Sequence, residues 1–178
     1  ARAGGARSIQ WNRRYEPAAQ ARDAAAAQAL RAAGLRVGEH AGSLLAEPWA
    51  LRNQQGGPFQ VFTPFWKALQ QGLDSAPPLA AAPDRLPAPP AWPTSLALAD
   101  LGLLQPQRPW QEGLAAHWQP SEAAAQARLD AFLAGGLAAY PQDRDRPDRD
   151  GSGRLSPYLC WGQLSARQVW WALRQTVA

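Results

Sequence analysis

The chain is poor in the residues that build disulfide frameworks and structural metal sites. Its 178 residues include one cysteine, Cys160, and two histidines, His40 and His117. One thiol excludes an internal disulfide, and one thiol with two imidazoles is too few for the usual four-ligand zinc site. We therefore predict no metal site and a reducing compartment, the cytoplasm.

Long apolar runs and charged residues are also scarce. No uncharged apolar stretch reaches the ~18 residues of a membrane-spanning helix, and residues 1–10 lack the apolar segment of a secretion signal. Charged residues make up 18% of the chain, whereas prolines number 17 and glycines 15. These values predict a protein with no membrane partner and with long irregular connections.

The charge balance says little about partners. The net charge of +4, from 18 basic and 14 acidic side chains, supports a polyanionic partner only weakly. Lys67 is the single lysine, and this dominance of arginine beside abundant alanine is typical of a GC-rich coding bias. The nine tryptophans are more unusual, and composition leaves open whether they fill a core, stack on a ligand or relay electrons.

Residues 1–46 have the pattern of a strand–helix–strand unit. Alternating apolar positions predict a strand over Ser8–Asn12. Pro17 opens an alanine-rich helix that Gly34 ends, and a second strand is predicted over 35–40. Such a unit needs a parallel sheet with more than two strands. We therefore predict the remnant of a separate parallel α/β domain.

Residues 47–120 are rich in proline and predict an extended connector between two domains. Only Thr63–Leu73 has a helical pattern there, with Thr63 as N-cap and Pro64 at the first helical position. Four apolar side chains are expected to hold the connector in place: Trp92, Leu96, Leu98 and Leu101.

Residues 121–178 predict the first helices of a helical domain. Ser121 caps a helix that Gly135–Gly136 closes, and Ser165 caps a last helix after a charged loop. The predicted fold class is therefore α/β plus all-α: a remnant of a parallel α/β domain, a long connector and the start of a helical domain.

The loop Gly151–Pro157, GSGRLSP, carries the strongest local signal for ligand binding. Small residues and hydroxyls around Arg154 supply the backbone N–H groups, the hydroxyl donors and the cation that a phosphate needs. Spacing alone favours the alternative, a helix-entry loop in which Ser156 caps and Arg154 pairs with Asp148 or Asp150.

Two other features favour structural interpretations. The run Arg144–Asp150 alternates in charge and adds no net charge, as a solvated loop does. Cys160 lies in an apolar stretch, and neither histidine has a sequence context that supports a Cys–His pair, so a buried inert thiol is predicted rather than a nucleophile. We assign no catalytic residue in this chain.

Four segments, in this order, resemble the DNA photolyase/cryptochrome family. They are WNRRYEP at 11–17 with Arg22–Asp23, FQVFTPFW at 59–66, the helix that begins SEAA at 121, and a block of Tyr140, Arg144–Asp145 and GSGRLSPYLCWGQLS at 151–165. Each is weak alone, but together they cover nearly the whole chain and are highly specific. Their residues resemble those of the class I cyclobutane pyrimidine dimer photolyases.

The resemblance implies an α/β antenna domain joined by a long connector to a helical domain that holds FAD. By resemblance, six residues fall on FAD-contacting positions: Tyr140, Ser152, Gly153, Arg154, Leu155 and Ser156. Arg144 falls on a position that contacts DNA phosphates beside the lesion. The family usually has Ser where Gly153 stands, so one hydroxyl is missing, and Thr is commoner at 152.

The implied function is light-driven, FAD-dependent repair of cyclobutane pyrimidine dimers, a deoxyribodipyrimidine photolyase. In that family the dimer is flipped out of the duplex. Reduced FAD absorbs light and donates an electron to the dimer, which splits and returns the electron to the flavin. The expected partner is damaged DNA, bound by a monomer. The antenna chromophore, folate or deazaflavin, is left open because Ala18 and Ala19 stand where folate-using members often carry polar ligands.

Two alternatives remain. One is a cryptochrome-type blue-light photoreceptor without repair activity, and the other is an inactive fragment. This sequence does not contain the family's opening FRRDLR strand. It also does not contain the parts of family members that follow the position of residue 178, which include further FAD contacts and the electron-transfer tryptophans. We therefore predict an internal fragment with little activity of its own.

Overall fold

The computed structural model describes residues 4–74, 80–86, 88–89, 91–103 and 108–177. The strands and helices follow in the order β1 (Ser8–Asn12), α1 (Pro17–Ala32), β2 (Arg36–His40), α2 (Phe62–Asp74), α3 (Pro109–His117), α4 (Glu122–Ala131), α5 (Tyr140–Asp143), α6 (Ser156–Cys160) and α7 (Ala166–Val177). A 3-10 turn covers Leu98–Leu101, and a π-helical turn, Phe132–Gly136, extends α4. None of the helices in the described ranges is long and apolar enough to span a membrane.

The chain divides into two compact units. The α/β unit consists of Gln10–Arg85 and Leu164–Ala178, and the helical unit consists of Ala1–Ile9 and Leu86–Gln163. These units do not follow the three predicted segments, since Leu164–Ala178 groups with α1 and β2. The domain boundaries at 46/47 and 120/121 stay a prediction.

The strand–helix–strand prediction is confirmed. The strands β1 and β2 pair in a small parallel sheet with α1 as the crossover, and the Arg13 N–H donates to His40 O at 2.8 Å. Helix α1 begins at Pro17, where the missing N–H removes no intrahelical bond, and Gly34 follows its end with φ +80°. The buried Ala27 lies on its inner face.

Helix α2 buries the apolar side chains Leu69 and Leu73. It begins at Phe62, so the prediction of Thr63 as N-cap is wrong, and Thr63 lies inside the first turn. The ring of Trp66 packs edge-on against Trp170 of α7, with 6.1 Å between centroids and 85° between planes.

The last helix has the cap that the sequence predicts. The Gln168 N–H donates to Ser165 Oγ at 3.1 Å, and the Ser165 N–H donates to Gln168 Oε1 at 2.7 Å. These reciprocal bonds form a capping box, which satisfies two backbone donors at once.

Helix α4 contributes two buried residues to the core of the helical unit. Ser121 Oγ accepts the N–H of Ala124 at 3.1 Å, which confirms the predicted cap. Ala125 and Leu129 are buried on its inner face, and the following π-helical turn ends at Gly136, at the predicted closure.

Three sequence predictions in the helical unit are wrong. Helix α3 forms at Pro109–His117, although only Thr63–Leu73 was expected to be helical in the connector. Cys160 is exposed rather than buried, because Tyr158 is the buried residue of α6 and residues two positions apart do not share a helix face. The four connector side chains expected to hold it in place are also exposed: Trp92, Leu96, Leu98 and Leu101.

Candidate functional site

The loop between α5 and α6 passes close to the end of α5. Gly151 is buried, and a Cβ atom there would lie 2.5 Å from both the Cβ and the main-chain O of Asp143. Real Cβ atoms do not approach so closely, so this backbone path requires glycine. The residues after Gly151 are thereby fixed beside α5.

Arg154 has a left-handed backbone, with φ +48°, and is the sole non-glycine residue with positive φ in the described ranges. Leu155 follows with φ −89° and ψ −7°, in the right-handed region. When a residue with a left-handed backbone conformation is followed by one with a right-handed conformation, their N–H groups point towards the same side. Such an arrangement can bind an anion. Among the described residues, the N–H groups of Arg154 and Leu155 donate no hydrogen bond.

The side chain of Arg128 on α4 reaches the same loop. Its Nε donates to Gly153 O at 3.1 Å, and its Nη2 donates to Ser152 O at 3.3 Å. Nη2 also lies 2.9 and 3.1 Å from the two carboxylate oxygens of Asp150. Sequence reasoning missed Arg128, since nothing along the chain indicates a partner more than twenty residues away.

Arg154 pairs with the same carboxylate. The distance from Arg154 Nε to Asp150 Oδ1 is 2.9 Å, so this part of the structural alternative is confirmed. The other part is wrong: Ser156 is the first residue of α6, and Leu155 occupies the cap position without a side-chain cap bond. Asp150 is therefore shared by Arg128 and Arg154.

Tyr140, the first residue of α5, lies between the π-helical turn and Arg144. Its ring packs edge-on against Phe132, with 5.7 Å between centroids, and the Arg144 guanidinium carbon lies 5.7 Å from its ring centroid. A Cβ on Gly153 would lie 3.5 Å from Cδ1 of Phe132. Phe132 therefore connects Tyr140 to the loop.

A concavity of ≈ 480 Å³ brings three of the sequence-predicted residues together: Arg144, Ser152 and Arg154. The other five lining residues come from the charged run and the start of the loop: Asp145, Arg146, Pro147, Arg149 and Gly151. The remaining predicted residues do not line it: Tyr140, Gly153, Leu155 and Ser156. Arg154 also lines a second cleft of ≈ 210 Å³, with His117, Trp118, Arg128 and Tyr158.

Aspartates partly neutralise the charged run. Arg144 Nε lies 3.3 Å from Asp145, Arg146 Nη2 lies 2.7 Å from Asp148, and Arg149 Nη1 lies 2.8 Å from Asp143. The hydrogen bond from Arg146 lowers the pKa of Asp148 below its ordinary value. In the described part of the chain, no three metal-ligating side chains group together.

Known proteins are similar to this chain over nearly its whole length. The DNA photolyase family model matches residues 1–89. The deoxyribodipyrimidine photo-lyase of Agrobacterium fabrum is 41% identical over 170 residues, which are 96% of this chain and 35% of that protein.

Two solved structures share the fold. A bacterial class III photolyase from Agrobacterium tumefaciens aligns with a TM-score of 0.84 at 41% identity, over 94% of this chain and 35% of that one. A Synechocystis cryptochrome aligns with a TM-score of 0.78 at 25% identity, over 97% and 36%. The chain thus spans about a third of these relatives.

These similarities confirm the predicted fold class and the family, while the class I assignment stays a prediction. Half of the chain matches the family model, and the sequence motifs lie on the elements described above. The chain belongs to the DNA photolyase/cryptochrome family.

Proposed function

We propose that the chain is a segment of a light-driven, FAD-dependent photolyase that repairs cyclobutane pyrimidine dimers in DNA. The observation that carries the proposal is the concavity that joins Arg144, Ser152 and Arg154. The family resemblance assigns Ser152 and Arg154 to FAD and Arg144 to DNA. A cofactor pyrophosphate and a DNA backbone are both polyanions, so one positively lined surface suits both ligands.

The loop residues fit the pyrophosphate of FAD. The N–H groups of Arg154 and Leu155 have no acceptor among the described residues, and opposite backbone hands turn them towards one side. Ser152 and Ser156 add hydroxyl donors. When bound, the flavin would supply light absorption and the transferred electron.

Arg154 is oriented before any ligand binds. Its Nε is paired with Asp150, and no described residue accepts a hydrogen bond from its two terminal nitrogens. Asp150 can therefore hold the guanidinium in place while the terminal nitrogens bond a phosphate. Charge-assisted bonds of this kind contribute about 1.5–3 kcal/mol each.

Arg144 is proposed to bind a DNA phosphate. Its side chain is 54% exposed, and the ring of Tyr140 supports one side of the guanidinium. An exposed guanidinium can exchange its contact with Asp145 for a phosphate at little cost, since exposed ion pairs contribute about 1 kcal/mol or less. Damaged DNA as partner, a monomer and a cytoplasmic location belong to the same proposal.

Repair of ultraviolet-irradiated DNA tests the proposal. A chain of photolyase length that contains residues 1–178 is purified, its flavin is reduced, and it is mixed with an oligonucleotide carrying one thymine dimer. Illumination with near-ultraviolet light should restore the intact thymines, and a dark sample should not. The matched pair Arg154→Ala and Arg146→Ala should differ in flavin content, because only Arg154 is assigned to the cofactor.

The alternative is a cryptochrome-type photoreceptor, which the Synechocystis neighbour favours. The same assay separates the two functions. A protein that retains flavin and responds to light, but leaves the dimer intact, would support the photoreceptor and contradict the repair function. A protein without flavin would contradict both.

A further inference from the structure

We propose that Arg128 is a positioning residue for the loop Gly151–Leu155. It holds the loop in the conformation that presents backbone N–H groups and the charge of Arg154 to an anion. The proposal rests on the function proposed above for that loop. Neither the sequence motifs nor the resemblance assigns a role to Arg128.

The first argument is geometric. Arg128 donates to the carbonyl oxygens of Ser152 and Gly153. In a trans peptide the C=O and the following N–H point in opposite directions, and there is no cis peptide in the described chain. The N–H groups of Gly153 and Arg154 must therefore point away from Arg128. Neither has an acceptor within the described residues.

The second argument concerns charge. The carboxylate of Asp150 lies between the guanidinium groups of Arg128 and Arg154, at 2.9 Å from each. Two cations and one anion leave a net charge of +1 beside the loop. Without Arg128, Asp150 would neutralise Arg154, and the loop would lose its attraction for a phosphate.

The third argument is the contrast with the other arginines of this region. The Arg146 side chain pairs with the Asp148 carboxylate at 2.7 Å and, within the described residues, donates to no main-chain carbonyl. Arg146 lines the concavity that Arg154 also lines, and its side chain carries the same charge as Arg128. Arg146→Ala is therefore a matched control, since it removes one cation and one ion pair but no contact with the loop backbone.

The first measurement is loop order in the 178-residue chain. Backbone ¹⁵N relaxation should give order parameters of ~0.85 for residues 152–155 in the wild type and below ~0.6 in Arg128→Ala. Arg146→Ala should match the wild type. Arg128→Lys keeps the charge but cannot bond the carboxylate and two carbonyls as a planar fork, so its values should be intermediate. Unchanged order parameters in both Arg128 variants would overturn the proposal.

The second measurement is anion binding, with inorganic pyrophosphate as the probe. Titration should shift the amide signals of residues 153–155 in the wild type, and Arg128→Ala should weaken the apparent affinity at least about tenfold. Arg146→Ala should weaken it less than about threefold. Equal weakening by the two variants would mean that net charge alone acts, which would overturn the positioning role.

The two measurements separate this proposal from the proposed function. If the wild type gives no amide shifts while Arg128→Ala still loosens the loop, the phosphate function of the loop fails and the positioning role stands. If Arg128→Ala does not fold, Arg128→Lys and Asp150→Asn take its place. Both should lower loop order without unfolding the chain, and rigid loops in both would contradict the proposal.

Discussion

Arg154 and Asp150 form an ion pair across one turn of the loop, with 2.9 Å between Nε and Oδ1. Asp150 is half exposed, and it also accepts a bond from Arg128. The pair therefore orients Arg154 more than it stabilises the fold, because exposed ion pairs contribute about 1 kcal/mol or less. Arg154 can keep its left-handed backbone and still offer terminal nitrogens to a ligand.

Replacement of Arg154 should lower flavin content without unfolding the protein. In a photolyase-length chain, Arg154→Ala removes a charge-assisted bond to a phosphate, at a cost of about 1.5–3 kcal/mol in FAD binding. Flavin absorbance relative to protein absorbance measures the occupancy. Full occupancy in the variant would refute the role given to Arg154, and Arg146→Ala is the control for loss of charge.

The two glycines of the loop should respond differently to a side chain. A Cβ at Gly153 would make ordinary contacts, at 3.4 Å from Leu155 Cγ and 3.5 Å from Phe132 Cδ1. Gly153→Ser should therefore change the free energy of unfolding by no more than about 0.5 kcal/mol. It also adds a hydroxyl that family members have there, so flavin content should not fall.

Gly151→Ala should destabilise the chain. Its Cβ would lie 2.5 Å from the main-chain O of Asp143, and backbone atoms cannot move aside cheaply. We expect a loss of about 1–3 kcal/mol, as for other overpacked sites. Urea unfolding of both glycine variants measures the difference, and equal stabilities would contradict the close approach at Gly151.

The local elements were predictable because their signals lie within a few residues. Pro17 and Gly34 bound α1, and Ser121 and Ser165 cap their helices as predicted. The sequence did not indicate helix α3, because Pro109 at its start follows a proline-rich stretch that is typical of an extended connector. Short-range chemistry thus predicted both ends of α1 and the starts of α4 and α7, but not the starts of α2 and α6.

The candidate site was only partly predictable. The resemblance indicated Tyr140 and Arg154, and the sequence offered Asp148 or Asp150 as the partner of Arg154, which the structure pairs with Asp150. Arg128 could not be found in this way, because its contacts with the loop join residues 22 to 25 positions apart. Such contacts depend on how α4 packs against the loop, which no local pattern specifies.

The phenol of Tyr15 should titrate above its ordinary range. Burial raises the pKa of Tyr15 above 10.0, and the hydrogen bond from its O–H to Glu47 Oε2, at 3.0 Å, raises it further. The folded chain thus keeps the phenol protonated at a pH where the unfolded chain ionises it. This contribution to stability is complete below pH 10.0 and is lost as the pH rises through the raised pKa.

Comparison of the wild type with Tyr15→Phe isolates this effect. The wild type should lose more stability than the variant when urea unfolding is repeated at about pH 9 and about pH 11. Glu47→Gln removes the neighbouring charge and should move phenolate absorbance to lower pH. Identical pH dependence in the wild type and Tyr15→Phe would show that Tyr15 is not held in its neutral form.

Replacement of Arg144 should weaken binding to damaged and undamaged DNA equally. Its guanidinium is exposed, pairs with Asp145 at 3.3 Å and lies beside the Tyr140 ring, so a phosphate can reach it without rearrangement of the loop. In a photolyase-length chain, Arg144→Ala should weaken binding to damaged and undamaged duplexes alike and lower the slope of log K against log salt by about one unit. Fluorescence anisotropy at several salt concentrations measures that slope.

Arg149→Ala is the control, because Arg149 is paired with Asp143 and has no assigned DNA contact. An unchanged slope in Arg144→Ala, or a selective loss on damaged DNA, would contradict a backbone contact.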